Sequence, residues 1–509
     1  MKRAAVVGID VGTTACKAVV FSTDGAVLGI AHTAVPITHG AHGEVTCDMD
    51  AVWNAAAEAT RAAVTSADAG EILAACVTGQ GDGAWWIDAE RRPMGPAALW
   101  LDARAATDVA VWKERGWVDA MTSITGSPPF PGSLPMLVEH ARHHDAARLD
   151  ATAMHLNCKD WVRLRMTGEV ATDATDASRT YLDPRTRTYS RELMRELGHE
   201  DIERRLAPVL PAADVAGFVT AGASRELGLP AGTPVVTGMM DTVAGGVGLG
   251  AIKPGDTYVV LGTTAFVGTI VDSVDAVAAQ SSTILATGTG TQVLECMSPM
   301  NGVPNLTWAR DMLGWGDLGW SEVESRAASA PPGSHGTLFL PYVATAGERA
   351  PFVDPNASAA WIGARVTTGP EALMRAAYES VAFAVAECLD QLAPADGPLR
   401  VCGGGAASDF LCGLLATVTQ RTVVRINDPE VGARGAAVLA LAGGAGIPVA
   451  DAVASMAAPS EEFMPIAAHI DVYATARGAF TQVRDAVRTT WHALAPLRGT
   501  PAPTPSSTS

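Results

Sequence analysis

The sequence predicts an α/β protein built from two similar halves with a cleft between them, and three observations carry that prediction. The chain has 509 residues and 48% hydrophobic content, more than one core can use, because single cores stop growing at about 250–300 residues. Strand-like apolar runs alternate with helical patterns and are punctuated by 51 Gly and 31 Pro, which excludes a disordered or fibrous chain. A strand-turn-strand unit around Gly12-Thr13-Thr14 returns at Gly262-Thr263-Thr264, about half the chain away, as an internal repeat would. The expected halves are 1–245 and 246–498. The tail 499–509, which ends PAPTPSSTS, is too polar to bury a core and is expected to be disordered.

The opening reads as a β-meander. Apolar runs at 5–9, 18–21 and 27–31 are separated by Gly12-Thr13-Thr14 and by Thr23-Asp24-Gly25, both turn signals. No helix follows the first glycine turn, so neither a Rossmann start nor a P-loop fits. Residues 50–66, rich in alanine with Trp53, Ala56 and Ala57 near a 3.6-residue period, predict a helix. Strands are expected at 72–78, 233–237, 257–261 and 265–271. A helix is expected from Ser408 or Asp409, and a small-residue helix over 435–442 is expected to pack beside the 403–405 glycines as a tight layer.

Charge narrows the partners. Lys and Arg number 36 against 54 Asp and Glu, a net charge of −18, and such a field repels a phosphate backbone, so nucleic acid is excluded as a partner. The start MKRAAVVGID has too short an apolar run for a signal peptide. The most lipid-like stretch, 435–450, is broken by glycines and Pro448, where a spanning helix needs about 20 apolar residues. The eight cysteines contain no C-x-x-C pair, so reduced thiols in the cytoplasm are the simplest reading.

Five segments carry chemistry. Asp10-Val11-Gly12-Thr13-Thr14 with Lys17 joins two strands by a tight turn; its backbone N–H groups, hydroxyls and ammonium suit phosphate oxygens, and Asp10 suits Mg²⁺ held through water. Read alone it is equally an ordinary hairpin. Gly262-Thr263-Thr264-Ala265 offers the same donors from the other half, and its alternative is a plain Thr-rich turn. In Cys402-Gly403-Gly404-Gly405 leading to Asp409, glycines after a strand let backbone approach a flat base or ribose. Asp241, just past a strand and opening a Gly-rich helix, is placed to take a proton from an alcohol during phosphoryl transfer, or merely to cap that helix. Gln80, Gly81 and Asp82, beside Trp85 and Trp86, suit vicinal hydroxyls, the alternative being a turn over a buried Trp pair.

In this order the segments resemble the FGGY family of carbohydrate kinases, within the actin/hexokinase/Hsp70-like ATPase superfamily. The likeness runs through GIDVGTTACKAVVF, GQGDGAWWID, ALWLDAR, LNCKDWVRLRMTGEVATDATDAS, GMMDTVAGGVGLGAIKPGD, LGTTA, LPYVATAGERAPFVDPNA and VCGGGAASDFL. It implies two ribonuclease-H-like domains closing over ATP, Mg²⁺ and a small sugar or polyol. It also implies Asp241 as catalytic base and Asp10 as the carboxylate near Mg²⁺. Gly12, Thr13, Thr14 and Lys17 would form the first phosphate loop, and Gly262, Thr263 and Thr264 the second. Gly404, Gly405 and Asp409, with Gly302 and Asn305, would line the adenosine site; Gln80, Gly81, Asp82, Asp241 and Thr242 would hold the sugar. Xylulokinases resemble GQMHG where this chain has Gly81-Asp82. Glycerol kinases have an Arg-Glu pair there, of which only an acidic partner is present. The GQGDG-W, LWLDAR and DPRTRTYS strings resemble the branch acting on erythritol, so erythritol is the expected substrate, with L-xylulose, D-xylulose, another pentulose or glycerol as alternatives. A homodimer is among the assemblies allowed. The rival from another class is a nucleotide-binding regulatory protein, against which the joint presence of Asp241 and both turns argues.

Overall fold

The computed structural model describes residues 3–278, 282–288 and 290–498; the expected disordered tail lies outside the described residues. The chain forms two compact units. The first gathers Met1–Tyr258, Thr269–Cys296 and Ile426–Pro459; the second gathers Val259–Gly268, Met297–Arg425 and the chain from Ser460 onward. Neither unit is contiguous in sequence.

The first unit is organised by a mixed six-stranded sheet. The meander is present: Arg3–Val11 pairs antiparallel with Ala15–Ser22, and that strand with Val27–Ala34. Arg3–Val11 then pairs in parallel with Ala69–Gly79, which pairs in parallel with Pro234–Val236. Both faces of these central strands are covered, so Val6, Val7, Ile9, Ala75, Cys76 and Val77 are all buried without alternation. The helix Met49–Ser66 caps itself with Asp48, whose carboxylate accepts from Ala51 N at 2.8 Å, and it packs Val52, Trp53, Ala56 and Ala59 onto one sheet face.

The small-residue helix runs over Val431–Ala445 and is a packing element, but its partners differ from those expected. It lies on Arg3–Val11 and against the helix Asp241–Gly248, both in the first unit. The reason is backbone proximity. A Cβ on Gly8 would fall 1.9 Å from Ala433 O, one on Gly435 1.8 Å from Ala244 O, and one on Gly248 2.0 Å from Val431 O. Only hydrogen at those three positions allows this contact.

In the second unit Leu399–Cys402 lies parallel to Val423–Ile426, next to the strand that ends at Leu261. The 22-residue helix Pro370–Gln391, buried along most of its length, packs against Asp409–Thr419. All eight cysteines are buried and free. Among the described residues no helix is long and apolar enough to cross a membrane.

Candidate active site

In open α/β sheets the groups that meet a ligand gather at the carboxyl ends of the parallel strands. Here three such ends come together. Asp10 closes the first strand, in register with Thr78 on one side and Lys17 on the other. Gln80, Gly81 and Asp82 leave the second, whose Gly79 bridges to Met240. Asp241 follows the third and begins the helix Asp241–Gly248. Gly238 makes this last turn possible: its φ is +83°, and a Cβ would fall 2.1 Å from Val77 O. Thr78 donates from Oγ1 to Met239 O at 2.7 Å, and Met240 N donates to Thr175 Oγ1 at 2.8 Å. The Met239–Met240 peptide that leads into Asp241 is thereby held at both its oxygen and its nitrogen.

The carboxylates influence one another. Burial lifts Asp10 to about 7, with the charges of Asp241 and Glu430 adding to the rise and Lys17 opposing it. Asp241 is lifted to about 6, chiefly by burial; hydrogen bonds from Thr242 hold it back and the charge of Asp82 adds to the rise. Thr242 donates to Asp241 Oδ1 twice, from N at 2.6 Å and from Oγ1 at 3.1 Å. Lys17 lies 3.0 Å from the buried Glu430. Negative charge thus gathers around Asp10, against whose carboxylate Gly432 packs closely, although among the described residues no group of three or more His, Cys, Asp or Glu side chains stands close enough to hold a metal ion. A Cβ on Gly432 would fall 2.5 Å from Asp10 Oδ2. Gly432→Ala should therefore lower turnover by about tenfold or more by displacing Asp10, with the melting temperature kept. Turnover within threefold of wild type would contradict this.

The first turn is closed by Gly12 N donating to Ala15 O at 3.0 Å. Thr14 is exposed, whereas Thr13 is engaged: its hydroxyl donates to Gln80 Oε1 and accepts from Trp100 Nε1, both at 3.1 Å. In the second unit Gly262 N donates to Thr264 O at 3.0 Å and Thr263 is exposed. Gly302 backs this turn, since a Cβ there would fall 2.4 Å from Gly262 O, and the buried Asn305 donates to Gly302 O at 3.3 Å. Gly403, at φ +90°, lies against the backbone of Leu261, Gly404 is open, and Gly405 is buried. Asp409 is exposed and pairs with Arg425 at 2.6 Å.

The sequence alone assigns no role to several contributors. Arg179 pairs with Asp82 at 3.2 Å. Beneath the Asp241 turn, Lys159 sits within 2.7 Å of Asp160, 3.0 Å of Asp173 and 3.1 Å of Asp176, all fully buried. Arg163 joins them through Asp160 and donates to Thr237 O at 2.8 Å. All of these contributors except Arg179 lie in the family-like string at 156–178, whose likeness gives no hint that its charges meet in one buried cluster.

The family models for the FGGY carbohydrate kinases match most of the chain, the N-terminal domain over residues 5–248 and the C-terminal domain over 257–443. The chain belongs to the FGGY family of carbohydrate kinases. It is 30% identical to an erythritol kinase of Brucella abortus, covering 96% of this chain and 98% of that one. A probable L-xylulose kinase of Pasteurella multocida is 28% identical over 86% and 90% of the two chains. A gluconate kinase of Lactobacillus acidophilus shares the fold, with a TM-score of 0.89 at 23% identity over 96% and 99% of the chains. This FGGY chain is thus a phosphotransferase acting on a sugar or polyol, with the two-domain α/β fold of its family.

Proposed function

We propose that the protein transfers the γ-phosphoryl group of ATP to a terminal hydroxyl of a small acyclic polyol, with erythritol as the preferred acceptor. The observation that carries this reading is the convergence of Asp241 and Asp82 at adjoining strand ends, where Asp82 raises Asp241. One carboxylate is poised near neutrality to take a proton. The other accepts hydrogen bonds from hydroxyls further along the acceptor.

In the step itself the acceptor hydroxyl gives its proton to Asp241 as its oxygen bonds to the γ-phosphorus. The bond from that phosphorus to the bridging oxygen breaks, and ADP leaves with the electron pair. Asp10 would hold Mg²⁺ through water, and the ion would supply charge neutralisation to the phosphoryl oxygens. In the first unit the Gly12 turn, closed on Ala15, presents Thr14 and Lys17 to phosphate oxygens, with Thr13 behind them on Gln80. Within the second unit the turn at Gly262-Thr263-Thr264 offers donors of the same kind, Gly404, Gly405 and Asp409 suit adenosine, and Gly302 and Asn305 support the turn. Gln80, Gly81 and Thr242 set the walls and the base orientation of the acceptor site.

Erythritol rests on the fully covered relative at 30% identity; the L-xylulose kinases at 28% and 25% identity favour a ketose as the second reading. A coupled ADP-release assay over erythritol, glycerol, D- and L-xylulose and ribulose separates them. The expected result is a kcat/KM for erythritol about tenfold or more above that for each ketose. Equal or faster turnover of L-xylulose would replace erythritol with the ketose.

A further inference from the structure

Asp82 has φ +60° between Gly81 and Gly83, a left-handed conformation that non-glycine residues seldom adopt. Gly83 anchors the bend, since a Cβ there would fall 2.4 Å from Ala98 O. The bend turns the carboxylate onto Arg179, whose Nε donates to Oδ1 at 3.3 Å and to Oδ2 at 3.2 Å. The guanidinium is also laid over Phe130, 5.4 Å from the ring centroid. Its side chain is only 10% exposed and that of Asp82 only 12%.

The pairing uses one nitrogen out of three. The bidentate alternative, in which two guanidinium nitrogens meet two carboxylate oxygens, is the stronger geometry and is not adopted. Both η-amino groups of Arg179 are left without a protein hydrogen-bond partner among the described residues. Neither amino group is sealed from solvent, so both stay available to acceptor atoms of a ligand that displaces water. The pair also stands close enough to Asp241 for the Asp82 charge to act on it.

We propose that Arg179 is the specificity-determining residue for the non-reacting end of the acceptor. Its η-amino groups donate to the oxygens of vicinal hydroxyls while Asp82 accepts hydrogen bonds from those hydroxyls, so the pair reads a diol from both sides. Because Asp82 already balances the guanidinium and Asp241 adds a carboxylate nearby, the site selects a neutral diol over an aldonate of the same length. This rests on the reading of Asp241 as the base of polyol phosphorylation.

The test uses the full-length enzyme and the acceptor it turns over best in the panel above. Arg179→Met should raise KM for that acceptor about 10–100-fold, the loss of one or two charge-assisted hydrogen bonds. The KM for ATP should stay within about threefold, and Arg179→Lys should recover part of the loss. The charge-neutral double variant Asp82→Asn/Arg179→Met guards against misfolding of a lone buried carboxylate and should show the same raised KM with a melting temperature near wild type. Asp82→Asn alone, which leaves the guanidinium unbalanced, should raise kcat/KM for erythronate about tenfold relative to wild type. An acceptor KM within threefold of wild type in both Arg179→Met and the double variant would overturn the proposal, as would no gain on erythronate. Neither outcome touches the base assignment, which fails separately if Asp241→Asn retains turnover.

Discussion

Asp241→Asn should lower kcat by about 10³-fold, within the 10²–10⁴-fold range that a positioned general base contributes. The substitution keeps the shape of the side chain, and an amide oxygen can still accept from Thr242 N and Oγ1, which reach Oδ1 at 2.6 and 3.1 Å in the parent. What it removes is the proton acceptor. The pH dependence follows from the same group. A base works only when unprotonated, so the wild-type rate should fall as pH is lowered through about 6, the value to which burial first, and Asp82 second, lift this carboxyl. Stability moves the opposite way. Between the unfolded value of 3.8 and about 6 the folded protein holds a proton that the unfolded chain has lost, so stability decreases as pH rises across that window. At pH 7.5 the Asn variant escapes this cost and should melt no lower than wild type. ADP-release kinetics and thermal melts on the same samples decide it: a variant within tenfold of wild-type kcat would remove Asp241 from the base role.

Lys159→Met should destabilise the first unit by about 3–5 kcal/mol, the cost of stripping one partner from a buried ion cluster. Burial works against the Lys159 charge, but Asp160, Asp173 and Asp176 outweigh it and hold the ammonium well above its usual range. Without Lys159 those three carboxylates face Arg163 alone. Asp176, already pushed well above the usual carboxylate range by burial, would then be the group best replaced. Lys159→Met/Asp176→Asn should therefore recover part of the loss, a coupling readable in a double-mutant cycle. The cluster also grips the Asp241 turn, through Arg163 on Thr237 O and through the segment bearing Thr175, which accepts from Met240 N. The single variant should thus lose turnover as well as melt about 5–10 °C lower. A melt within 2 °C of wild type would show that the cluster carries little of the fold.

Two kinds of information separate cleanly here. The meander, the helix Met49–Ser66 and the two Gly-Thr-Thr turns were legible because they arise from contacts a few residues apart. Alternation, caps and turn chemistry are written in consecutive residues. The strand Thr257–Leu261 and its partner Ala265–Val271 fall at the expected bounds for that reason. Asp10, Asp82 and Asp241 stood out likewise, as polar groups at the ends of apolar runs.

The ion pairs at the site were not legible. Arg179 meets Asp82 across 97 positions, and Glu430 reaches Lys17 from the far end of the chain; no spacing rule links such residues. The same holds for the helix Val431–Ala445. Its small residues announced close packing, but a helix small on every side fits several partners, and Gly8, Gly248 and Gly435 chose among them only once folded. The sequence by itself determined two repeated strand-turn-strand units, an acidic chain and carboxylates at strand ends. The tertiary structure alone decided which charges those carboxylates meet, because pairing depends on distance in space and burial, neither of which is encoded by local order.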